Sequence, residues 1–287
     1  MFLDRPETAA EKIRRCQGAI CLINSRSAIK WPGEVLEQLS DLKMITVTGI
    51  GTDAIDLETA RRLGIVVCNI PGRTAPLVAE HACALMFAVA KRAWFQTNRV
   101  KTGQWGGPDN LYLHGKTLGL VGAGNIGAAM ARLGLALGMR VQAWTMNPSE
   151  ERSRQLGIPF VPFEQLLRTS DVLSVHVKLT DQSRGLIGEK EIAMMKPGAH
   201  FINTARGLVA DELALARALE SGHLGGAGID VFGQEPVPAD HPLVRCDQVV
   251  LTPHNADQTP EGLEWLNAGA VDNVLGFLDG KIQNRVN

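Results

Sequence analysis

A glycine-rich turn between an apolar strand and a helix constrains the fold of this chain more than any other feature. The segment LGLVGAGNIGAAMARLGLALGMRV places Gly122, Gly124 and Gly127 at the spacing G-x-G-x-x-G. Gly122 can form a tight turn, Gly124 lets the backbone approach a ligand, and Gly127 lets the helix lie close to the sheet. Between this strand and this helix, the pattern predicts the phosphate-binding turn of a Rossmann domain.

The helix that follows the turn indicates which ligand would bind. Its first N–H groups, around Asn125 and Ile126, have no partners within a helix and are available to phosphates. We therefore expect a nicotinamide dinucleotide to bind at the glycines and at these two residues. The alternative is a tight strand-to-helix turn that binds no ligand.

The end of the next predicted strand bears on which nicotinamide cofactor is used. An acid commonly stands there and accepts hydrogen bonds from the adenosine ribose. This chain has Thr145 and Asn147 instead, followed by Arg152 and Arg154. Thr145 does not repel a 2′-phosphate, and either arginine could pair with one. We favour NADP(H) over NAD(H), with Asn147 as a further neutral donor; the alternative is that both arginines are solvated surface residues.

Short apolar runs alternate with helical patterns along the whole chain. This alternation predicts an α/β protein with parallel sheets that are covered on both faces. A mostly apolar helix predicted over 74–95 marks the boundary between two domains. We predict one domain from 1–74 and 259–287, and a dinucleotide-binding domain from 75–258. The predicted strands are 18–23, 43–49, 64–69, 116–122, 139–144, 171–177, 199–205, 224–232 and 248–254, and the other predicted helices are 33–39, 56–63, 125–137, 163–169, 189–195, 210–221 and 260–279.

Composition excludes several classes of protein. The chain has 287 residues, of which 45% are hydrophobic and 21% charged, with a net charge of −1. No basic block suggests nucleic acid, and no uncharged run reaches the roughly 18 apolar residues of a membrane span. The five cysteines are scattered, which argues against a disulfide framework or a zinc site. With no signal-peptide pattern at the start, these features predict a cytoplasmic enzyme.

Polar residues follow three of the predicted strands in the second domain. Arg206, Glu235 and His254 stand in the segments INTARGLVADE, GIDVFGQEP and LTPHNADQTPEG. Since ligands bind at the carboxyl ends of strands in open parallel sheets, these side chains are candidates for one catalytic site. Taken singly, each has another interpretation, as a surface cation, a turn residue and a loop histidine.

Longer motifs give the chain a resemblance to a known family. VGAGNIG, MKPGAHFINTARGLVADELAL, GAGIDVFGQEP and LTPHNA occur in the order and spacing of the D-isomer-specific 2-hydroxyacid dehydrogenases, which include glyoxylate/hydroxypyruvate reductases and phosphoglycerate dehydrogenase. The earlier segments TGIGTDAIDLETARRLGIVVCNIPG and VAEHACALMFAVAKR also resemble that family. The resemblance covers nearly the whole chain.

The resemblance implies a role for each matching residue. Arg206 matches the arginine that binds the substrate, His254 the general acid/base, and Glu235 the acid that orients this histidine. Asp230 matches the residue that orients the nicotinamide carboxamide. Glycines at the carboxylate-binding loop leave N–H groups accessible. This loop corresponds to Gly49, Ile50 and Gly51, and the wall of the cofactor site corresponds to His176, Val177, Thr204 and Ala205.

We therefore expect a flavodoxin-like substrate domain beside the Rossmann domain, in an enzyme that transfers a hydride between NAD(P)H and a small 2-oxo or 2-hydroxy acid. The resemblance favours glyoxylate or hydroxypyruvate as substrate and implies a homodimer formed by the nucleotide domains. No metal is implied. The first domain is expected to lack the strand with which family members usually begin.

Two alternatives stay open from the sequence. The first is a binding protein of the same fold that senses a nicotinamide dinucleotide without turnover. The second is the formate or phosphite branch of the fold. Phosphite oxidation is expected to need a lysine in the substrate loop, where this chain has Ile50.

Overall fold

The computed structural model describes residues 4–287. The chain divides into two compact units. Unit 1 comprises 1–74 and 258–287, and unit 2 comprises 75–257.

Helices and strands alternate along the described residues. The helices are α1 (Ala9–Cys16), α2 (Gly33–Leu36), α3 (Leu57–Arg62), α4 (Ala75–Ala90), α5 (Ala93–Lys101), α6 (Asn125–Ala136), α7 (Glu150–Leu156), α8 (Phe163–Thr169), α9 (Glu189–Met194), α10 (Glu212–Glu220), α11 (Pro242–Arg245) and α12 (Pro260–Leu278). The strands are β1 (Cys21–Ser25), β2 (Met44–Thr48), β3 (Val66–Cys68), β4 (Thr117–Val121), β5 (Arg140–Trp144), β6 (Val172–Val175), β7 (Ala199–Asn203), β8 (Leu224–Ile229) and β9 (Val249–Leu251).

Unit 1 is built on a parallel three-stranded sheet in the order β1-β2-β3. Every residue of the central strand β2 is buried, as expected for a parallel strand that is covered on both faces. Ile45 and Val47 face one apolar cluster, and Met44 faces another that includes Val274 of α12. The edge strand β1 is less buried, and Ile23 is 51% exposed.

Unit 2 is built on a parallel six-stranded sheet in the order β5-β4-β6-β7-β8-β9. Every residue of β4, β6 and β7 is buried, and most of these residues are apolar. The chain runs from β4 to β5 on one side and places β6 on the other side of β4. The strand order therefore reverses at β4, and open α/β sheets bind ligands at the carboxyl ends of strands beside such a reversal.

The α/β class and the parallel sheets predicted from the sequence are confirmed, and the predicted strands and helices overlap the observed ones. The long helix predicted over 74–95 is wrong in its length. It ends at Ala90, and α5 begins at Ala93. Arg92 between them has the left-handed φ of 48°, which no α-helix can contain. The Lys91 ammonium bonds the Leu111 carbonyl 2.8 Å away, which ties the break to a neighbouring loop.

Among residues 4–287, the structure contains no helix whose length and apolar character would suffice to cross a membrane.

Candidate active site

The glycine turn after β4 is closely packed at two positions and open at the third. Gly122 has φ +103°, and a Cβ there would lie 2.8 Å from the His176 carbonyl oxygen. A Cβ on Gly127 would lie 2.1 Å from the Gly122 carbonyl oxygen. Among residues 4–287, apart from its chain neighbours and the backbone of its own helix, no atom lies within 4 Å of the position of a Cβ on Gly124. The first two glycines are required for the turn to fold, whereas Gly124 leaves space above the backbone.

This open space lies at the N-terminus of α6. The helix begins at Asn125, followed by Ile126, and no side chain caps it at Gly124. The free N–H groups and the helix dipole give this end a partial positive charge. A phosphate group fits an open space beside uncapped N–H groups, so the turn has the form that a dinucleotide requires.

A basic side chain lies against the same turn. Arg152 in α7 donates a hydrogen bond to the carbonyl of Ala123 through Nη2. Arg154 instead bonds the Glu150 carbonyl of its own helix at 3.4 Å. Ser149 caps α7 by accepting from the Arg152 N–H at 3.3 Å. Of the two arginines considered from the sequence, Arg152 is the one that contacts the glycine turn.

The residues predicted to surround the adenosine ribose follow β5 directly. Thr145 is half-buried and Asn147 is exposed. Val121 of β4 pairs with Trp144 of β5, so Thr145 lies beside the start of the glycine turn. No acid stands where β5 ends.

Arg206 is held in an extended turn after β7 by a buried asparagine. The Asn203 side chain accepts from the Ala205 N–H at 2.9 Å and donates to the Arg206 carbonyl at 3.0 Å. The backbone at Gly207 then lies so close to the next loop that a Cβ there would be 2.0 Å from the Phe232 carbonyl carbon. The turn that carries Arg206 therefore packs directly on the loop that leads to Glu235.

Glu235 and His254 are joined by a hydrogen bond between their side chains. Nδ1 of His254 lies 2.7 Å from Oε2 of Glu235, and Oε1 of Glu235 accepts from the Phe232 N–H at 3.0 Å. A carboxylate only accepts, so Nδ1 carries the proton in this contact. The two side chains are 42% and 37% exposed, so the pair is not enclosed within the protein core.

The charge of Glu235 depends on its neighbours. Burial raises the pKa of this carboxyl group, but the bonds from His254 and from the Phe232 N–H lower it, and so does the nearby charge of Arg206. The net effect is a lowered pKa. Glu235 is therefore an anion at neutral pH, which is the form that orients and stabilises an imidazolium.

The backbone of His254 is strained. Its φ of 50° is uncommon for a residue with a side chain. Its N–H bonds the Asp230 carbonyl at 2.8 Å. The buried Asp230 carboxylate also accepts from the N–H groups of Asn255 at 3.0 Å and Ala256 at 3.2 Å. Strain of this kind persists only where the surroundings hold it, and it is concentrated at functional sites.

Three buried polar atoms at the carboxyl end of this sheet have no hydrogen-bond partner within residues 4–287. They are Oγ1 of Thr204 after β7, Oδ1 of Asn255 after β9, and Nδ1 of His176 after β6. Buried polar groups are rarely left unpaired, because each one costs the free energy of lost hydration. Each atom follows a strand of the sheet that carries the glycine turn, at the end where such sheets bind ligands, so these atoms are candidates to bond the amide and hydroxyl groups of a nicotinamide riboside.

The remaining predicted residues divide between the two units. Val177 contacts the glycine turn, since its Cγ1 would lie 3.0 Å from a Cβ on Gly122, and Ala205 precedes Arg206. Gly49, Ile50 and Gly51 follow β2 in unit 1. Their carbonyl oxygens accept hydrogen bonds from within unit 1, from the Ile70 N–H at 2.8 Å, Asn69 Nδ2 at 2.8 Å and Ser27 Oγ at 3.1 Å respectively.

Sequence reasoning missed three residues that act on the predicted site. Asn203 holds the Arg206 turn, Asn255 presents an unpaired atom, and His81 of α4 bonds Thr252. Asn203 is a polar residue at the end of an apolar strand, which is a signal that could have been read. A single histidine on an apolar helix gives no such signal.

The fold and this arrangement of groups define an α/β oxidoreductase that uses a nicotinamide dinucleotide. Residues 83–256 match the sequence profile described as D-isomer specific 2-hydroxyacid dehydrogenase, NAD binding domain. The chain belongs to this family, so it is an NAD(P)-dependent enzyme that transfers a hydride to and from 2-oxo and 2-hydroxy acids.

Individual relatives match most of this chain and are themselves somewhat longer. The chain is 37% identical over 281 residues to a glyoxylate reductase of Korarchaeum cryptofilum, covering 95% of this chain and 82% of that protein. A D-lactate dehydrogenase of Aquifex aeolicus, complexed with NAD and lactic acid, is 32% identical with TM-score 0.86, covering 94% of this chain and 86% of that one. An acyclic imino acid reductase in complex with NADPH and D-Arg is 28% identical with TM-score 0.91, covering 100% and 91%.

Proposed function

We propose that this protein reduces a small 2-oxo acid of the glyoxylate or hydroxypyruvate type, with NADPH favoured over NADH. In this proposal unit 2 binds the cofactor and unit 1 is the substrate domain. The observation that carries it is the His254–Glu235 pair at 2.7 Å, held at the same sheet end as the glycine turn. A glyoxylate reductase among the relatives supports the choice of substrate class.

Proton transfer would take place at Nε2 of His254. A reduced nicotinamide, when bound, supplies a hydride to the carbonyl carbon. His254 gives a proton to the carbonyl oxygen at the same time, and in the reverse direction it takes the proton of the hydroxyl group. Glu235 stabilises the imidazolium before this transfer and holds the ring in place.

The Arg206 guanidinium would bind the substrate. Its planar donors match a carboxylate and the neighbouring carbonyl oxygen, which places the carbonyl toward the proton donor. The packing of the Arg206 turn against Phe232 supports this role, because it fixes the arginine relative to the loop of Glu235.

The loop Gly49–Ile50–Gly51 would bind the substrate carboxylate through its N–H groups. Internal hydrogen bonds fix all three carbonyl oxygens, which supports a loop that keeps one backbone orientation. Replacement of Asn69 by alanine removes one of these bonds. We expect Asn69→Ala to raise the KM for glyoxylate and to leave the dissociation constant of the cofactor unchanged, as measured by steady-state kinetics and fluorescence titration.

The preference for NADPH rests on the end of β5 and on Arg152. No acid there repels a 2′-phosphate, and Arg152 lies against the glycine turn. We expect Arg152→Ala to lower the ratio of kcat/KM for NADPH to that for NADH, and Thr145→Asp to lower it further. Arg154→Ala is the matched control and should leave the ratio unchanged. A wild-type preference for NADH would contradict the proposal.

A homodimer formed through unit 2 is part of the proposal. Four large apolar side chains in or just after α5 are exposed: Trp94 at 57%, Val100 at 56%, Trp105 at 91% and Tyr112 at 70%. Apolar groups that form one contiguous exposed patch mark a surface that a partner covers, and we propose that these four side chains form such a patch. Light scattering should give the mass of two chains, and Trp105→Ser should shift the protein toward one chain.

We also propose a reducing compartment such as the cytoplasm, since all five cysteines are free thiols. Thiol titration of the protein as isolated from its own cells should count five thiols without added reductant.

The proposed reaction is tested by turnover and by binding in the same variant. Glyoxylate and hydroxypyruvate are offered with each reduced cofactor. His254→Gln should lower kcat by about 1000-fold, within the range for loss of a general acid, and should leave cofactor affinity unchanged. His223→Gln is the control, because the His223 ring bonds the Ile192 carbonyl, 3.1 Å away, and belongs to no part of the proposed site. Tight cofactor binding without turnover of any 2-oxo acid by the wild type would favour the sensing protein instead.

A further inference from the structure

A histidine of α4 bonds a residue of the loop that carries His254. Nε2 of His81 lies 2.9 Å from Oγ1 of Thr252 and 3.5 Å from Oδ1 of Asp230. Oγ1 of Thr252 also lies 2.6 Å from the same Asp230 oxygen. These three side chains join helix α4, the end of β8 and the end of β9.

The direction of each hydrogen bond follows from the chemistry of the groups. The Asp230 carboxylate has no proton to give, so the Thr252 hydroxyl donates to it. A hydroxyl has one proton, so Oγ1 of Thr252 can only accept from His81. Nε2 of His81 therefore carries a proton in this arrangement, whether the ring is neutral or charged.

Asp230 transmits this arrangement to the backbone of the catalytic loop. The same oxygen that accepts from Thr252 accepts from the Asn255 N–H at 3.0 Å, and the other accepts from the Ala256 N–H at 3.2 Å. Asp230 is fully buried. If Thr252 and His81 did not hold the Asp230 carboxylate, this buried group would attract water or reorient. The N–H groups of Asn255 and Ala256 would then lose their fixed acceptor.

The loop needs this support because His254 is held with a φ of 50°. Backbone in this region costs roughly 1–3 kcal/mol for a residue with a side chain, and it relaxes when its contacts weaken. A relaxed His254 backbone would turn the ring and lengthen the 2.7 Å contact between Nδ1 and Glu235.

We propose that His81 is a positioning residue for the reaction. It acts through Thr252 and Asp230 to keep the His254 ring on Glu235, and it touches neither substrate nor reacting atoms. The inference rests on the proposed role of His254 as proton donor. It adds a residue on α4, outside the loops at the sheet end, on which the rate of proton transfer depends.

Two variants separate positioning from folding. His81→Leu removes the donor, whereas His81→Gln keeps an N–H donor on a flexible chain. We expect His81→Leu to lower kcat for glyoxylate by about 10-fold, since a small misplacement of a catalytic group has effects of this size. The KM should change by less than about 2-fold, because the lost interaction operates in the transition state. His81→Gln should recover most of the rate.

A control and a double variant complete the test. His223→Leu should match the wild-type kcat. Thr252→Val should lower kcat about as much as His81→Leu, and the double variant should be no slower than either, because both changes break one chain of contacts. Melting temperatures exclude unfolding as the cause.

The outcomes are distinct. If His254→Gln retains turnover, the proposed function fails. Suppose instead that His254→Gln is inactive, so that the proposed function stands. The positioning role of His81 is then wrong if the kcat of His81→Leu equals that of His223→Leu. It is also wrong if the losses of kcat in His81→Leu and Thr252→Val multiply in the double variant. The positioning role would also be contradicted if His81→Gln did not recover the kcat that is lost in His81→Leu.

Discussion

The two parallel sheets differ in whether the buried polar side chains at their strand ends have hydrogen-bond partners. In unit 1, polar side chains at the ends of β1, β2 and β3 are buried and have partners. Asn24 bonds both the N–H and the carbonyl of Ile29, Asn69 donates to the Ile50 carbonyl, and Thr48 accepts from the Arg26 N–H at 2.7 Å. These groups stabilise their own turns.

In unit 2, several polar atoms at the strand ends lack partners. Oγ1 of Thr204 and Oδ1 of Asn255 are buried and make no hydrogen bond within the described residues. Trp31 of unit 1 also has an unpaired Nε1, but it lies before α2 and not where a strand ends. The named side chains of unit 1 complete the fold of their own turns, whereas Thr204 and Asn255 of unit 2 are residues at which we expect a ligand to bind.

Among the tests of this comparison between the two units, the largest effect is expected at the open position of the glycine turn. Gly124→Val adds a side chain where no atom lies within 4 Å, so the fold should tolerate it. The same side chain would occupy the space of the pyrophosphate, and we expect cofactor affinity to fall by about 100-fold or more. Fluorescence titration measures the affinity, and Ala136→Val on the exposed face of α6 is the control. An unchanged dissociation constant would mean that the dinucleotide does not cross this turn.

A change in unit 1 should show the opposite result. Asn273 of α12 is buried and donates to Thr46 Oγ1 at 3.1 Å and to the Asn69 carbonyl at 3.0 Å. Asn273→Ala leaves these acceptors without a donor and should lower the free energy of unfolding by about 2 kcal/mol. Cofactor affinity should stay that of the wild type. A large loss of cofactor affinity would remove the distinction between the two units.

His200 sharpens the comparison within unit 2. It lies near the amino end of β7, is 5% exposed, and also has an unpaired Nδ1. Burial, with the nearby charge of Arg92, lowers its pKa from 6.5 to about 4. The unfolded chain therefore binds a proton between these values that the folded chain does not, so His200 destabilises the fold as the pH falls through this range.

We expect the wild type to lose about 1 kcal/mol of stability through His200 between pH 7.5 and 5.5. Urea unfolding at both pH values measures the free energy of unfolding that is lost on acidification. This loss should be smaller by about 1 kcal/mol in His200→Leu than in the wild type, whereas His223→Leu should show the wild-type loss. Cofactor affinity should not change, because His200 lies at the end of the sheet that does not bind ligand. Equal pH dependence in wild type and His200→Leu would show that this imidazole is not held neutral.

The smallest effects come from one substitution made in both units. Thr46→Val removes an acceptor that Asn273 uses and should cost about 1 kcal/mol of stability. Thr204→Val removes an unpaired hydroxyl, so stability should be unchanged or higher, while cofactor affinity falls about 5-fold. Denaturant midpoints and cofactor titrations of the two variants give four numbers. The comparison would be contradicted if both variants lost stability and kept cofactor affinity, or if both lost cofactor affinity and kept stability.

Much of this arrangement was predictable from the sequence. Apolar runs fixed the position of strands such as β4, and the spacing of Gly122, Gly124 and Gly127 identified the turn. The break of the long helix at Arg92 was not predictable, because it depends on contacts with a loop twenty residues away. The roles of Thr252 and His81 were hidden for the same reason: hydrogen bonds across 171 residues leave no local pattern.

A crystal structure with the reduced cofactor tests the central claim most directly. The account predicts the pyrophosphate over Gly124 and polar atoms of the nicotinamide riboside within roughly 3.2 Å of Oγ1 of Thr204 and Oδ1 of Asn255. A dinucleotide bound elsewhere, or bound there with both atoms still unpaired, would contradict it.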